Sequence, residues 1–227
     1  KKYNVLSQEL DDTLKRPNFI DQQRFSLEPG EYEFEQMVTD KNSNGKTFSV
    51  KKKVTVDFPS GKVNISDIEL LASFTKSVTQ GPITKNGYDL VPYMADFFYP
   101  EEVTELSFYA EVYNTKSVLG ENEKFLISYY IEGFENKNQI SKCAAFKRET
   151  ASAVNLLLSK LSIVDLPSGN YNMVVDVKNK NNELVAQKKV FFQRKNPKAK
   201  MDLADLSGQQ AEHLGELDGG DDLALQE

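Results

Sequence analysis

The chain has 227 residues, 34 Asp and Glu against 28 Lys and Arg, and a formal charge of −6 at pH 7. That length allows one large or two small domains with a real core. A lone Cys143 excludes an internal disulfide and a Cys-pair metal site, the placing of the only histidine, His213, in an acidic tail argues against Ser-His-Asp or Cys-His catalysis as ordinarily built, and no run of roughly 18 apolar residues is present to cross a membrane as a helix.

The negative charge is uneven. Met201 to Glu227 carries eight acids and no Lys or Arg; without them 26 acids face 28 bases, and no clustered basic face marks a nucleic-acid binder. The one basic run, Lys51-Lys52-Lys53, sits inside a strand-like pattern and reads as a solvated edge.

In chain order, the first regular pattern is LEPGEYEFEQMVTDKNS from Leu27, and it returns as LPSGNYNMVVDVKNKNN from Leu166. Gly30 and Gly169 stand 139 residues apart, and at that spacing Tyr32 meets Tyr171, Val38 meets Val177, and Lys41-Asn42 meets Lys180-Asn181. Lys52-Lys53-Val54 then matches Lys188-Lys189-Val190 at 136, so the first copy has a connection three residues longer. Tyr32, Phe34, Gln36 and Val38 alternate with Glu33, Glu35 and Met37, and Phe48, Val50, Val54, Val56 and Phe58 share one parity, with Lys52 the exception. Period two predicts a β-hairpin in each copy, turned by DKNSNG and KNKNNE, whose Asn, Asp and Gly tolerate left-handed backbone.

The repeated Leu, Pro, Gly and Tyr have a physical reading. Leu plugs the bottom of a core, Pro and Gly turn the chain between sheets, and Tyr starts the next strand with its ring inward and its hydroxyl bonded to backbone in the preceding corner. Two copies predict two tandem immunoglobulin-like antiparallel β-sandwiches, an all-β chain. Residues 1–60 would form the C-terminal part of a first sandwich, truncated at its N-terminus because only 26 residues precede Leu27. Residues 61–197 would form a second, with strands at Ile65 to Phe74, Leu106 to Tyr113, Phe125 to Ile131, Ala144 to Phe146, Val154 to Ile163 and the final hairpin. Val154 to Leu158 also fits a helix turn, but the Leu-Pro-Ser-Gly corner after it favours strand. Residues 198–227 read as a flexible acidic linker or tail.

Between Lys76 and Glu102 lies QGPITKNGYDLVPYMADFFYPEE, too long for an ordinary sandwich loop. Tyr88, Tyr93, Phe97, Phe98 and Tyr99 concentrate there beside Pro82, Pro92 and Pro100, and aromatic anchors on a rigid segment suit protein contact. The competing expectation is that these rings cover the sandwich's own open edge or fill the domain interface. Cys143, before Ala144-Ala145-Phe146, reads as a small core residue. Asn64-Ile65-Ser66 is an N-linked sequon, and Asp12-Thr13-Leu14 resembles an O-linked acceptor of some bacterial periplasms.

Several long motifs, NFIDQQRF (Asn18 to Phe25), VNISDIELL (Val63 to Leu71), KNGYDLVPY (Lys85 to Tyr93), FYAEVYNT (Phe108 to Thr115), LPSGNYNMVVDVKNKNNEL (Leu166 to Leu184) and KKVFFQRKNP (Lys188 to Pro197), resemble the N-terminal sandwich region of GWxTD-domain proteins. The resemblance spans about Asn18 to Leu206. It implies an exported bacterial envelope protein, in the periplasm or at the outer membrane, whose biochemical role is poorly defined. The Gly-Trp-x-Thr-Asp motif that names the family is absent, since the chain has no Trp.

No GxGxxG or Walker-type loop occurs, paired carboxylates carry no signal without geometry, and Asp218-Gly-Gly-Asp-Asp222 lacks the ligand spacing of a calcium loop. The expectation is therefore a non-catalytic interaction or scaffold module of the envelope, with no cofactor and no metal, binding a protein partner. The alternative is a carbohydrate-binding module of an exported glycan-processing system. Coplanar exposed rings would favour sugar; a continuous apolar patch or an open strand edge would favour protein.

Overall fold

A computed structural model describes Asn4, residues 22–41 and residues 44–200. The Asp12-Thr13-Leu14 acceptor and the tail from residue 201 on lie outside the described residues. The first elements are β1 (Gly30–Asp40) and β2 (Lys46–Val56), paired antiparallel from Gly30 opposite Val56 to Asp40 opposite Lys46. Asn44 and Gly45 close the hairpin with φ of 50° and 72°, as the turn composition predicts. Tyr32, Phe34 and Val38 share a face with Val54, Lys52 and Phe48, while Glu33 and Glu35 lie opposite Lys53 and Lys51 on the other. Phe34, Val38, Phe48 and Val50 are exposed, and among the described residues these two strands form a sheet of their own.

The remaining elements are β3 (Asn64–Ile65), β4 (Glu69–Lys76), β5 (Thr84–Lys85), β6 (Tyr88–Pro92), β7 (Phe98–Tyr99), β8 (Glu105–Tyr113), α1 (Thr115–Leu119), β9 (Lys124–Gly133), β10 (Gln139–Thr150), β11 (Val154–Ser162), β12 (Gly169–Lys178) and β13 (Leu184–Arg194). One sheet runs β10-β9-β12-β13-β7; the other runs β11-β8-β4-β6-β5, with β3 also on β8. Alternation puts Leu106, Phe108, Ala110 and Val112 of β8, Phe125, Ile127, Tyr129 and Ile131 of β9, and Tyr171, Met173, Val175 and Val177 of β12 into one buried cluster. The Phe108 and Tyr129 rings meet edge to face at 5.4 Å. Residues of both sheets facing one core make this a β-sandwich, and each fully buried large side chain contributes about 1.5–3 kcal/mol. Cys143, 4% exposed, belongs to that core.

Three extents differ from expectation. The strand expected over Ile65 to Phe74 breaks at Ser66 to Ile68, where the Ser66 N–H donates to the Glu111 carbonyl and the Glu111 N–H donates to Ser66 Oγ. The strand expected at Ala144 to Phe146 runs from Gln139 to Thr150, with a register irregularity before Ala144. The segment between Lys76 and Glu102 is a β5-β6 hairpin followed by β7, because Asn86 and Gly87, with φ of 51° and 80°, supply a two-residue turn.

Both corners are present. Tyr171 Oη donates to the Pro167 carbonyl at 3.2 Å and Tyr32 Oη to the Glu28 carbonyl at 2.7 Å, each reaching back four residues. The glycine of the pattern makes room for the ring: a Cβ at Gly169 would lie 3.1 Å from Tyr171 ring atoms and hydroxyl, and one at Gly30 3.6 Å from those of Tyr32.

Candidate partner-binding site

The five aromatic candidates separate into three environments. Tyr88 begins β6 and packs, half-buried, against Leu71, Leu90 and Tyr109 in a small apolar cluster apart from the main core. Tyr99 is completely buried: its ring stacks on Tyr93 at 4.2 Å and meets Phe192 edge to face at 5.5 Å. Burial raises its hydroxyl pKa well above the ordinary tyrosine value, with the neighbouring Tyr93 adding to the shift. Tyr99 is thus a core residue and not a surface anchor. Tyr93 supports it, donating its hydroxyl to the Phe98 carbonyl at 2.7 Å.

Phe97 and Phe98 reach solvent, 51% and 39% exposed, beside Met94 at 74%. What turns Phe97 out is backbone: Asp96 and Phe97 have φ of 45° and 61°, consecutive left-handed residues in a chain segment with no glycine. A bulky residue there costs about 1–2 kcal/mol, so its neighbours must hold it. They do so with hydrogen bonds. The Phe98 N–H donates to Ala95 O at 2.8 Å, Gln193 N–H to Phe97 O at 2.9 Å and Lys195 N–H to Tyr99 O at 2.9 Å, making β7 a short parallel neighbour of β13.

Arg194 anchors the other side of the turn. It is 3% exposed, and its guanidinium donates to the carbonyls of Pro100, Val103 at 2.7 Å and Ile163 at 3.1 Å. Burial lowers its pKa, opposed by Tyr93 and by Glu101 and Glu102. The platform therefore stands on a buried cation bonded to three backbone oxygens.

Two rings missed in sequence extend the site. Phe98 is opposite Gln193, and Gln193 and Phe191 share the outer face of β13. The Phe191 ring meets Phe134 edge to face at 5.1 Å and 78°, and Lys137 Nζ lies 4.5 Å over Phe134. The signal was the parity of β13: Gln187, Lys189, Phe191 and Gln193 form a polar row with one ring in it. Beneath them, buried Glu132 accepts from Lys189 Nζ at 2.8 and 3.0 Å and from Asn172 Nδ2 at 2.9 Å; buried Asp176 accepts from Gln187 Nε2 at 2.9 Å and Tyr130 Oη at 3.2 Å.

A second polar constellation braces the β5-β6 hairpin. The buried Glu111 carboxylate accepts from the Tyr109 and Tyr113 hydroxyls and from Asn86 Nδ2 at 2.8 Å, with Lys85 Nζ at 3.5 Å. Burial alone would raise its pKa, but the two tyrosine hydroxyls, Lys85 and Asn86 together hold it below the ordinary carboxylate value. An ionised carboxylate with its oxygens engaged this way ties the Asn86 turn to β8 and is a poor proton acceptor.

Among the described residues no group of three or more His, Cys, Asp or Glu is placed to hold a metal ion, and no helix is long and apolar enough to cross a membrane. Asn64 Nδ2 donates to the Pro59 and Lys62 carbonyls, both at 2.9 Å, so the sequon amide already has two partners. No protein-family model matches the chain, and no curated protein matches it in sequence.

Proposed function

We propose that the chain is a non-catalytic docking module of tandem immunoglobulin-like design, which binds a protein partner at the bacterial cell envelope through the rings around β7. The observation that carries this is the Asp96-Phe97 pair: strained left-handed backbone, fixed by β13 and Arg194, spent on holding an apolar ring in water. Strain held in place by its surroundings concentrates at binding and catalytic sites. Phe98, Phe191 and Phe134 continue the apolar surface, and ring clusters of this kind supply most of the energy of protein interfaces.

The geometry favours protein over glycan. A sugar platform wants coplanar rings, whereas Phe134 and Phe191 stand at 78° to each other. Assignment to the envelope rests on the sequence resemblance to GWxTD-domain proteins.

The test is partner capture from an envelope extract with the parent chain and with Phe97→Ser combined with Phe98→Ser. Melting should hold to within about 2 kcal/mol, because Phe97 is about half exposed and Phe98 still 39% exposed, while capture falls on the order of tenfold or more. Capture equal to the parent's, with the fold intact, overturns the assignment of the site.

A further inference from the structure

We infer that the open edge of β13 receives an extended peptide segment of the partner, added as a further strand of the five-stranded sheet beside β7. This rests on the protein-docking function proposed above and names the form in which the partner binds.

The phase of hydrogen bonding along β13 identifies the groups. The N–H groups of Gln193 and Lys195 point away from β12 and are taken by the carbonyls of Phe97 and Tyr99. Strand geometry then points the N–H and C=O of Gln187, Lys189 and Phe191 the same way. β7 covers only Gln193 and Arg194 of this 11-residue strand, so among the described residues those three have no partner on that side. On the inner face of this stretch Ala186 and Val190 pack, partly buried, against the core.

Exposed edges are usually guarded by free lysines. Here both candidates are ion-paired: Lys188 Nζ lies 2.6 Å from Asp67 Oδ1 at the surface, and Lys189 is held by buried Glu132. The edge also continues the ladder that β13 forms with β7, so the same row of backbone groups already takes a strand of this chain. Phe191 and Phe98 flank it on the outer face, so an incoming segment with apolar side chains at alternate positions would meet rings while its backbone completes the ladder.

The probe is a displayed library of random peptides of about ten residues, selected on the intact chain. In the free protein the Gln187, Lys189 and Phe191 amides should exchange with solvent quickly while those of Ala186, Lys188 and Val190 are protected; a selected peptide should slow the first set by about tenfold or more. Backbone N-methylation of the peptide, which leaves the protein untouched, should weaken binding at one parity only. Gln187→Pro should weaken it further than Gln187→Ala, the alanine form accounting for the lost side-chain bond to Asp176.

The inference is overturned if no peptide is selected, if N-methylation shows no parity, or if the three amides are already protected in the free chain, as they would be in a dimer closed through this edge. Binding that depends on Phe97 and Phe98 but shows no parity would overturn the strand-addition inference alone and leave the docking function standing.

Discussion

Tyr171→Phe and Tyr32→Phe remove the same hydroxyl from the same motif and should have different consequences. Tyr171 is 2% exposed, its hydroxyl pKa is pushed up to about 12, mainly by burial, and its ring stacks near Phe192 at 5.7 Å. Losing the hydroxyl deprives the Pro167 carbonyl of a partner, which should cost about 1–3 kcal/mol. At roughly 3–4 °C per kcal/mol for a domain of this size, the sandwich should melt about 3–12 °C lower. The Tyr32 bond is shorter, 2.7 Å against 3.2 Å, yet it is exposed, so water replaces the lost partner and the change should stay within about 0.5 kcal/mol. Alanine at the paired glycines should follow the same order. Gly169→Ala forces a Cβ to 3.1 Å from the Tyr171 ring, costing about 1–3 kcal/mol, whereas at Gly30 the 3.6 Å contact is ordinary. Calorimetry with near-ultraviolet circular dichroism measures all four. Equal shifts for the two copies would refute the claim that burial, and not the motif, sets the energy of the corner.

Two further outcomes follow from buried charges. Arg194→Met should destabilise the sandwich by about 3–5 kcal/mol, since it leaves the Pro100, Val103 and Ile163 carbonyls without their donor, and should speed hydrogen exchange at Phe98 and Lys195; unchanged exchange there would show that the cation does not anchor the platform. Glu111 has a folded-state pKa below its unfolded value, so its stabilisation is fully present above the ordinary carboxylate range and is lost as pH falls through the lowered folded value. Acid unfolding of Glu111→Gln should therefore fall less steeply below about pH 4 than that of the parent; parallel curves would remove Glu111 from the account.

How far the site was legible in sequence depends on the residue. Clustering of aromatics between Gly81 and Pro100 located the platform, but period-two reasoning could not sort its members. The Asp96-Phe97 pair interrupts the extended backbone with two left-handed residues, so parity before the turn does not carry into β7, and Tyr99 goes inward where Phe97 goes out. Phe134 and Phe191 escaped notice because they are 57 residues apart in sequence and meet only across the sheet.

By itself the sequence determined most of the longer strands, the two hairpins with their Asn-rich turns, and the repeated corner, because these depend on side-chain alternation and on local backbone preferences within a few residues. Only the tertiary structure decided which copy of the corner is buried. The face containing Tyr171, Met173, Val175 and Val177 meets a second sheet and is excluded from water, while Phe34, Val38, Phe48 and Val50, in the same local pattern, remain in contact with it. Burial is a property of what lies opposite a strand. A strand's own residues specify the face it offers, and the apolar area removed from water depends on the partner that covers it.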